Sequence, residues 1–128
     1  MIVVDASAVL EVLVGEPNPS LASRLAAEEV LHAPHLLDTE LLHVLRRLER
    51  RRDLTRTQVA TAREQFDALA IDRYPHHPLS ARVWELRTSL SAYDATYVSL
   101  AEALGATLVT TDRRIARAGG VGAVVETH

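Results

Sequence analysis

Four acidic residues, Asp5, Glu40, Asp94 and Asp112, stand where a small α/β fold would bring their carboxylates together. Asp5 closes the apolar run Ile2-Val3-Val4. Asp112 follows a second run, Leu108-Val109, through Thr110 and Thr111. Asp94 opens a helical stretch, and Glu40 lies inside another. Carboxylates held at one point repel and raise one another's pKa unless a cation joins them. An all-oxygen donor set suits a hard divalent ion such as Mg2+. The chemistry of such a centre is hydrolysis, because the ion acidifies water and offsets charge in the transition state. Four acids permit one ion or two.

Placing those acids requires parallel strands joined by helices. Ile2–Val4 reads as a buried parallel strand, since its apolar run does not alternate. Ser7–Val14 reads as a helix, residues 20–29 as a second, and Leu31–Ala33 as a short strand. Pro34 suits the first turn of a long helix running to about Arg52. Thr55–Leu69 is a further helix, Ala70–Asp72 a strand, and Leu79–Arg87 a helix with Trp84 in the core. Tyr93–Leu104 is helical and ends at Gly105, a good C-cap. Thr107–Val109 is a strand, Arg113–Arg117 a helical turn, and Val121–Val125 an edge strand. Strands separated by helices imply a parallel sheet with right-handed crossovers. Ligands bind beyond the carboxyl ends of such strands, where Asp5 and Asp112 fall.

Composition narrows the class. The 128 residues suffice for one domain, 1–128, with a single core. There is no cysteine, which excludes a disulfide scaffold and a thiolate zinc site and fits a reducing, cytoplasmic setting. The first apolar run stops at Asp5, too short for a signal peptide or membrane span. All fourteen basic residues are arginine, and the formal charge of -3 turns slightly positive once the four acids are set aside. That surface is compatible with nucleic acid.

Each acid also has a structural explanation when taken alone. Asp5 can cap the helix that follows, Ser91-Ala92-Tyr93-Asp94 spells a capping box, and Asp112 can cap a turn. Against this, Asp94 shares a helical meridian with Tyr97, Val98 and Ala101, and Glu40 lines up with Leu37 and Val44. An acid at the margin of an apolar stripe is costly to desolvate without a partner. Periodicity alone does not choose between Glu40 and Asp38, which borders the opposite side of the same stripe.

Four segments resemble the PIN-domain family, in order along the chain. They are Ile-Val-Val-Asp-Ala-Ser-Ala-Val-Leu at 2–10, Glu-Leu-Leu-His-Val-Leu-Arg-Arg at 40–47, Ala-Tyr-Asp-Ala-Thr-Tyr-Val-Ser-Leu-Ala-Glu at 92–102 and Leu-Val-Thr-Thr-Asp-Arg-Arg-Ile at 108–115. The resemblance selects Glu40 over Asp38. It implies a three-layer α/β/α domain with a central parallel sheet of about four or five strands. It further implies an endoribonuclease dependent on Mg2+, with Mn2+ substituting, of the VapC type found as the toxin of bacterial toxin–antitoxin pairs. Asp5, Glu40, Asp94 and Asp112 would be its acidic cluster, with Asp5, Asp94 and Asp112 on the metal and Glu40 serving the attacking water. Ser7 and Thr111 would be supporting hydroxyls. An RNA substrate, an antitoxin covering the acidic groove and a homodimer are the partners it implies, with no membrane involved.

Arginines are candidates for RNA contact. Arg113 and Arg114 lie nearest the acids in sequence, while Arg46 and Arg50 belong to a basic helix end that solvation alone would also explain. Aromatic residues make up only 4%, so no stacking platform for single strands is evident, and specificity is expected from RNA shape. His76-His77, between prolines, is expected to face solvent. Glu40-Leu-Leu-His43 is half of a di-iron motif, but the second copy that such sites need is missing. A phosphoacceptor receiver domain would need a lysine. The remaining alternative is a catalytically silent PIN scaffold that binds RNA or protein. It gives no reason to keep four mutually repelling acids.

Overall fold

The computed structural model describes all of residues 1–128. Strand β1 (Ile2–Val4) consists of three fully buried β-branched residues, as a central parallel strand requires. Helices α1 (Ala6–Val14) and α2 (Pro19–Ala26) are capped by the side chains of Asp5 and Asn18. Strand β2 (Leu31–Pro34) leads into α3 (Leu36–Arg50), which buries the stripe Leu37, Leu41 and Leu45. Helix α4 (Arg56–Ala68) opens on a full capping box between Thr55 and Gln58. After β3 (Ile71–Tyr74) and a 3-10 turn at His77–Leu79 come α5 (Ser80–Glu85) and α6 (Ala92–Leu104). Strand β4 (Thr107–Thr110), α7 (Arg113–Arg117) and β5 (Val125–Thr127) complete the chain.

The five strands are all parallel, in the order β3-β2-β1-β4-β5. The chain steps outward from β1 to β3, then returns past β1 to β4. Right-handed crossovers place the helices of these opposite legs on opposite faces, giving three layers. Helix α1 packs on α2, α3 and α4, whereas α6 packs on α5 and on β1, β2 and β4. Every residue of α6 from Ala95 to Ala101 is buried, and Gly105 ends the helix in the left-handed conformation at φ 62°. The strand order reverses between β1 and β4. In such sheets, ligands bind beyond the carboxyl ends of the strands at that reversal.

Three local expectations are corrected. Pro34 ends β2 rather than starting a helix, because it pairs with Tyr74 and the next hydrogen bond runs from His35 N–H to Tyr74 O. The last strand begins at Val125, not Val121, because Gly122 N–H is held by the Glu102 carboxylate outside the ladder. Trp84 is 68% exposed, with Arg87 stacked over its ring, and Leu86 fills the core instead.

Candidate active site

Asp5 is the most deeply set of the four acids, at 5% exposure. Its Oδ1 accepts hydrogen bonds from Ser7 Oγ (2.6 Å) and Ala8 N (3.0 Å), and its Oδ2 accepts one from Thr110 Oγ1 (2.6 Å). Strand register dictates the last contact. Val4 lies opposite Val109, so Asp5 and Thr110 emerge side by side at the end of the sheet. Burial raises the Asp5 carboxyl above its ordinary range; these three donors oppose the rise, and Asp94 adds to it.

Ser7 thus orients a carboxylate, but Thr111 does not do so through its hydroxyl. The hydroxyl on Asp5 belongs to Thr110, fully buried, while Thr111 contributes its backbone N–H to Ser7 Oγ at 3.0 Å. The Thr110 hydroxyl also accepts from Asp112 N–H at 2.9 Å, which ties the loop after β4 to the acid after β1.

Asp94 sits in the first turn of α6, where its N–H donates to the Ser91 hydroxyl at 3.1 Å. Only that half of the capping box forms, and the carboxylate remains half-buried. Burial raises it, and Asp112 raises it further, while Ser91 and Arg114 pull the other way. Glu40 is likewise raised by burial and then by Asp94 and Asp5. Asp38 points elsewhere, forming a two-pronged ion pair with Arg73 at 2.7 and 2.9 Å. The structure therefore turns Glu40, and not Asp38, toward the other acids.

Asp112 differs from the rest. Arg114 reaches it through Nε at 3.1 and 3.2 Å and Nη2 at 2.6 Å, and Arg114 N–H donates to it at 2.9 Å. These contacts hold Asp112 below its ordinary range. The structure brings the four acids into one electrostatic neighbourhood, but no three His, Asp or Glu side chains close into a ready metal shell. Mg2+ needs no such shell, since it binds through one or two carboxylates and keeps several waters. An all-oxygen set with repelling, desolvated members fits a hard divalent cation.

Tyr97, one helical turn beyond Asp94, belongs to the site but declared itself in the sequence only as a stripe residue. Its ring is buried, and burial and the charges of Glu40 and Asp5 push its hydroxyl well above the usual phenol range. The hydroxyl feels Glu40 without reaching hydrogen-bonding geometry, so it stands unpartnered. Beside it a groove of about 510 Å³ opens from Glu40 and Asp94. The arginines divide. Arg114 is at the acids, Arg113 is exposed next to it, and Arg46 and Arg50 line a different groove with Val59 and Arg63 between α3 and α4.

The sequence pattern of the PIN domain matches residues 2–121. The chain belongs to the PIN-domain family. Within the family it is 49% identical over 119 residues to "VapC ribonuclease Mb0985" of Mycobacterium bovis, covering 93% of this chain and 91% of that one. It is 41% identical over 121 residues to "Ribonuclease VapC1" of Mycobacterium tuberculosis H37Rv, with the same two coverages. Among solved structures, this PIN domain superposes on VapBC2 from Rickettsia felis bound to a promoter DNA fragment with a TM-score of 0.74 at 18% identity, covering 99% of this chain and 98% of that one. It also matches Mycobacterium tuberculosis VapC20, described as a sarcin-ricin loop cleaving toxin, with a TM-score of 0.68 at 19% identity and coverages of 97% and 98%. At those identities the likeness is one of fold. No helix is long and apolar enough to cross a membrane.

Proposed function

We propose that this PIN domain is a VapC-type endoribonuclease, the toxin of a toxin–antitoxin pair, hydrolysing RNA phosphodiester bonds at Asp5, Glu40, Asp94 and Asp112. The observation that carries the reading is the convergence of these acids at the switch point of the sheet, in a chain nearly half identical to a protein named as a VapC ribonuclease. The cofactor is Mg2+, with Mn2+ substituting, as one ion or two. When bound, such an ion supplies Lewis acidity toward a phosphate oxygen and lowers the pKa of an attacking water.

The chain's own residues divide the remaining labour. Asp5 and Asp94 hold the cation, Asp5 being immobilised by Ser7, Ala8 and Thr110. Asp112, now held by Arg114, would complete the set of acids that could hold such an ion. Glu40, with its carboxyl raised by burial and by two acidic neighbours, takes the proton from the attacking water. Arg113 and Arg114 stand at the rim, where an incoming phosphate arrives.

VapC kinship carries an antitoxin and a homodimer into the same proposal. An antitoxin tail that presents an arginine to the cluster would offset its charge as Arg114 already does for Asp112. The cytoplasm is the compartment in which such a toxin meets its RNA.

Purified protein incubated with tRNA and rRNA in Mg2+ or Mn2+ tests the reading. Discrete fragments that vanish in EDTA and in Asp94→Asn are the expected result. Fragments that survive the substitution would sink the assignment of Asp94. Absence of both cleavage and Mn2+ binding would leave the silent scaffold in its place.

A further inference from the structure

The groove that opens from Glu40 and Asp94 runs between α3 and the start of α6, with Leu36 and Val44 as its apolar surface and His43 and Tyr93 beside them. Its volume of about 510 Å³ is within the roughly 300–1,000 Å³ range of small-molecule sites. His43 lies three residues after Glu40, so the two share a helix face. Tyr93 immediately precedes Asp94, and its side chain is 64% exposed.

We infer that this groove receives one unstacked base of single-stranded RNA next to the cut, with Tyr93 stacking on its face and His43 meeting its edge. The inference rests on the ribonuclease reading and names a subsite of that same centre. RNA chains are continuous, so a phosphate held at Asp5 and Asp94 obliges an adjoining nucleoside to enter a groove bordered by those acids. Charge then selects which part of it enters. Away from Glu40 and Asp94 the lining is Leu36, Thr39, His43, Val44, Ser91 and Tyr93, with no arginine to hold a second phosphate, which leaves the neutral base as the fitting occupant. Recognition of RNA by splayed bases stacked on aromatic rings and hydrogen-bonded at their edges is a general mode. One exposed ring is enough for one base. The low aromatic content excludes an extended platform but not this single position.

The test is NMR of the tyrosine rings, of which the chain has only three, during titration with ribose 5-phosphate and with AMP, GMP, CMP and UMP in Mg2+. At least one nucleotide should shift the Tyr93 ring upfield while ribose 5-phosphate does not. Tyr93→Ala should weaken that nucleotide about tenfold, and Tyr93→Phe should restore it, as expected for stacking. His43→Ala should alter the preference among the four bases. Equal shifts with ribose 5-phosphate, or unchanged nucleotide affinity in Tyr93→Ala, would overturn the subsite. So would cleavage of tRNA or rRNA whose KM is indifferent to Tyr93→Ala. Wild-type cleavage of that RNA panel and Mn2+ binding are measured in parallel, and the absence of both would instead remove the ribonuclease reading.

Discussion

Arg114 clasps Asp112 from the same short turn, with Nη2 at 2.6 Å from one carboxylate oxygen, while its side chain as a whole remains 83% exposed. One acid of the cluster therefore already has a countercharge, and a solvent-exposed one. Arg114→Ala should bind Mn2+ several-fold more tightly at low ionic strength, measured by electron paramagnetic resonance titration. The gain should shrink as salt is added, because exposed charges are screened. Unchanged or weaker Mn2+ binding would mean that Arg114 does not compete with the ion for Asp112.

The raised carboxyls make the metal-free protein sensitive to pH. Asp5, Glu40 and Asp94 are each harder to ionise in the fold than in the open chain. Between the ordinary carboxylate range and their raised values, the folded state binds more protons than the unfolded one, so stability falls as pH rises. In EDTA the Tm should climb as pH is lowered from neutrality toward the ordinary carboxylate range, and Mg2+ should lift the neutral end of the curve. Below that window the trend reverses, because Asp112, Glu28 and Glu102 are held low by arginine partners and lose those bonds on protonation. Asp94→Asn should flatten the slope above the ordinary carboxylate range. A metal-free Tm that rises steadily from the ordinary carboxylate range up to neutrality would contradict this.

Thr110 and Thr111 can be told apart by a single methyl. Thr110→Val removes a buried donor from Asp5 and an acceptor from Asp112 N–H, and should cost about 1–3 kcal/mol in urea denaturation. Thr111→Val keeps the backbone N–H that reaches Ser7 and should cost less than about 0.5 kcal/mol. Equal losses would place the support of Asp5 elsewhere.

Tyr97→Phe should be neutral or stabilising by about 1 kcal/mol, since an unpartnered buried hydroxyl carries an uncompensated desolvation cost. Denaturation in EDTA measures it. A loss of more than about 1 kcal/mol would reveal a hydrogen bond for this hydroxyl.

Much of this arrangement was legible in the residues, and the misses share a physical cause. Non-alternating runs marked β1 and β4, so the acids just past their ends could be placed at the sheet's carboxyl edge. Gly105 signalled the end of α6 because the left-handed cap needs it. What periodicity cannot carry is direction around a turn or register between distant segments. Asp38 and Glu40 border one stripe symmetrically; the motif at 40–47 selects Glu40, and the physical reason is Arg73 on β3, which takes Asp38 away from the site. Thr110 rather than Thr111 faces Asp5 because Val4 pairs with Val109, a register invisible in either segment alone. Trp84 read as core from its size and its neighbours Val83 and Leu86. The helix carrying it is only six residues long and turns that ring to solvent.

The hydroxyl that steadies Asp5 lies 105 residues further along the chain. During synthesis the first acid leaves the ribosome long before the strand that fixes it, and at about 5–20 residues per second the interval lasts seconds. Asp94 and Asp112 also arrive late. The four acids therefore come together only once β4 has been made and has paired with β1.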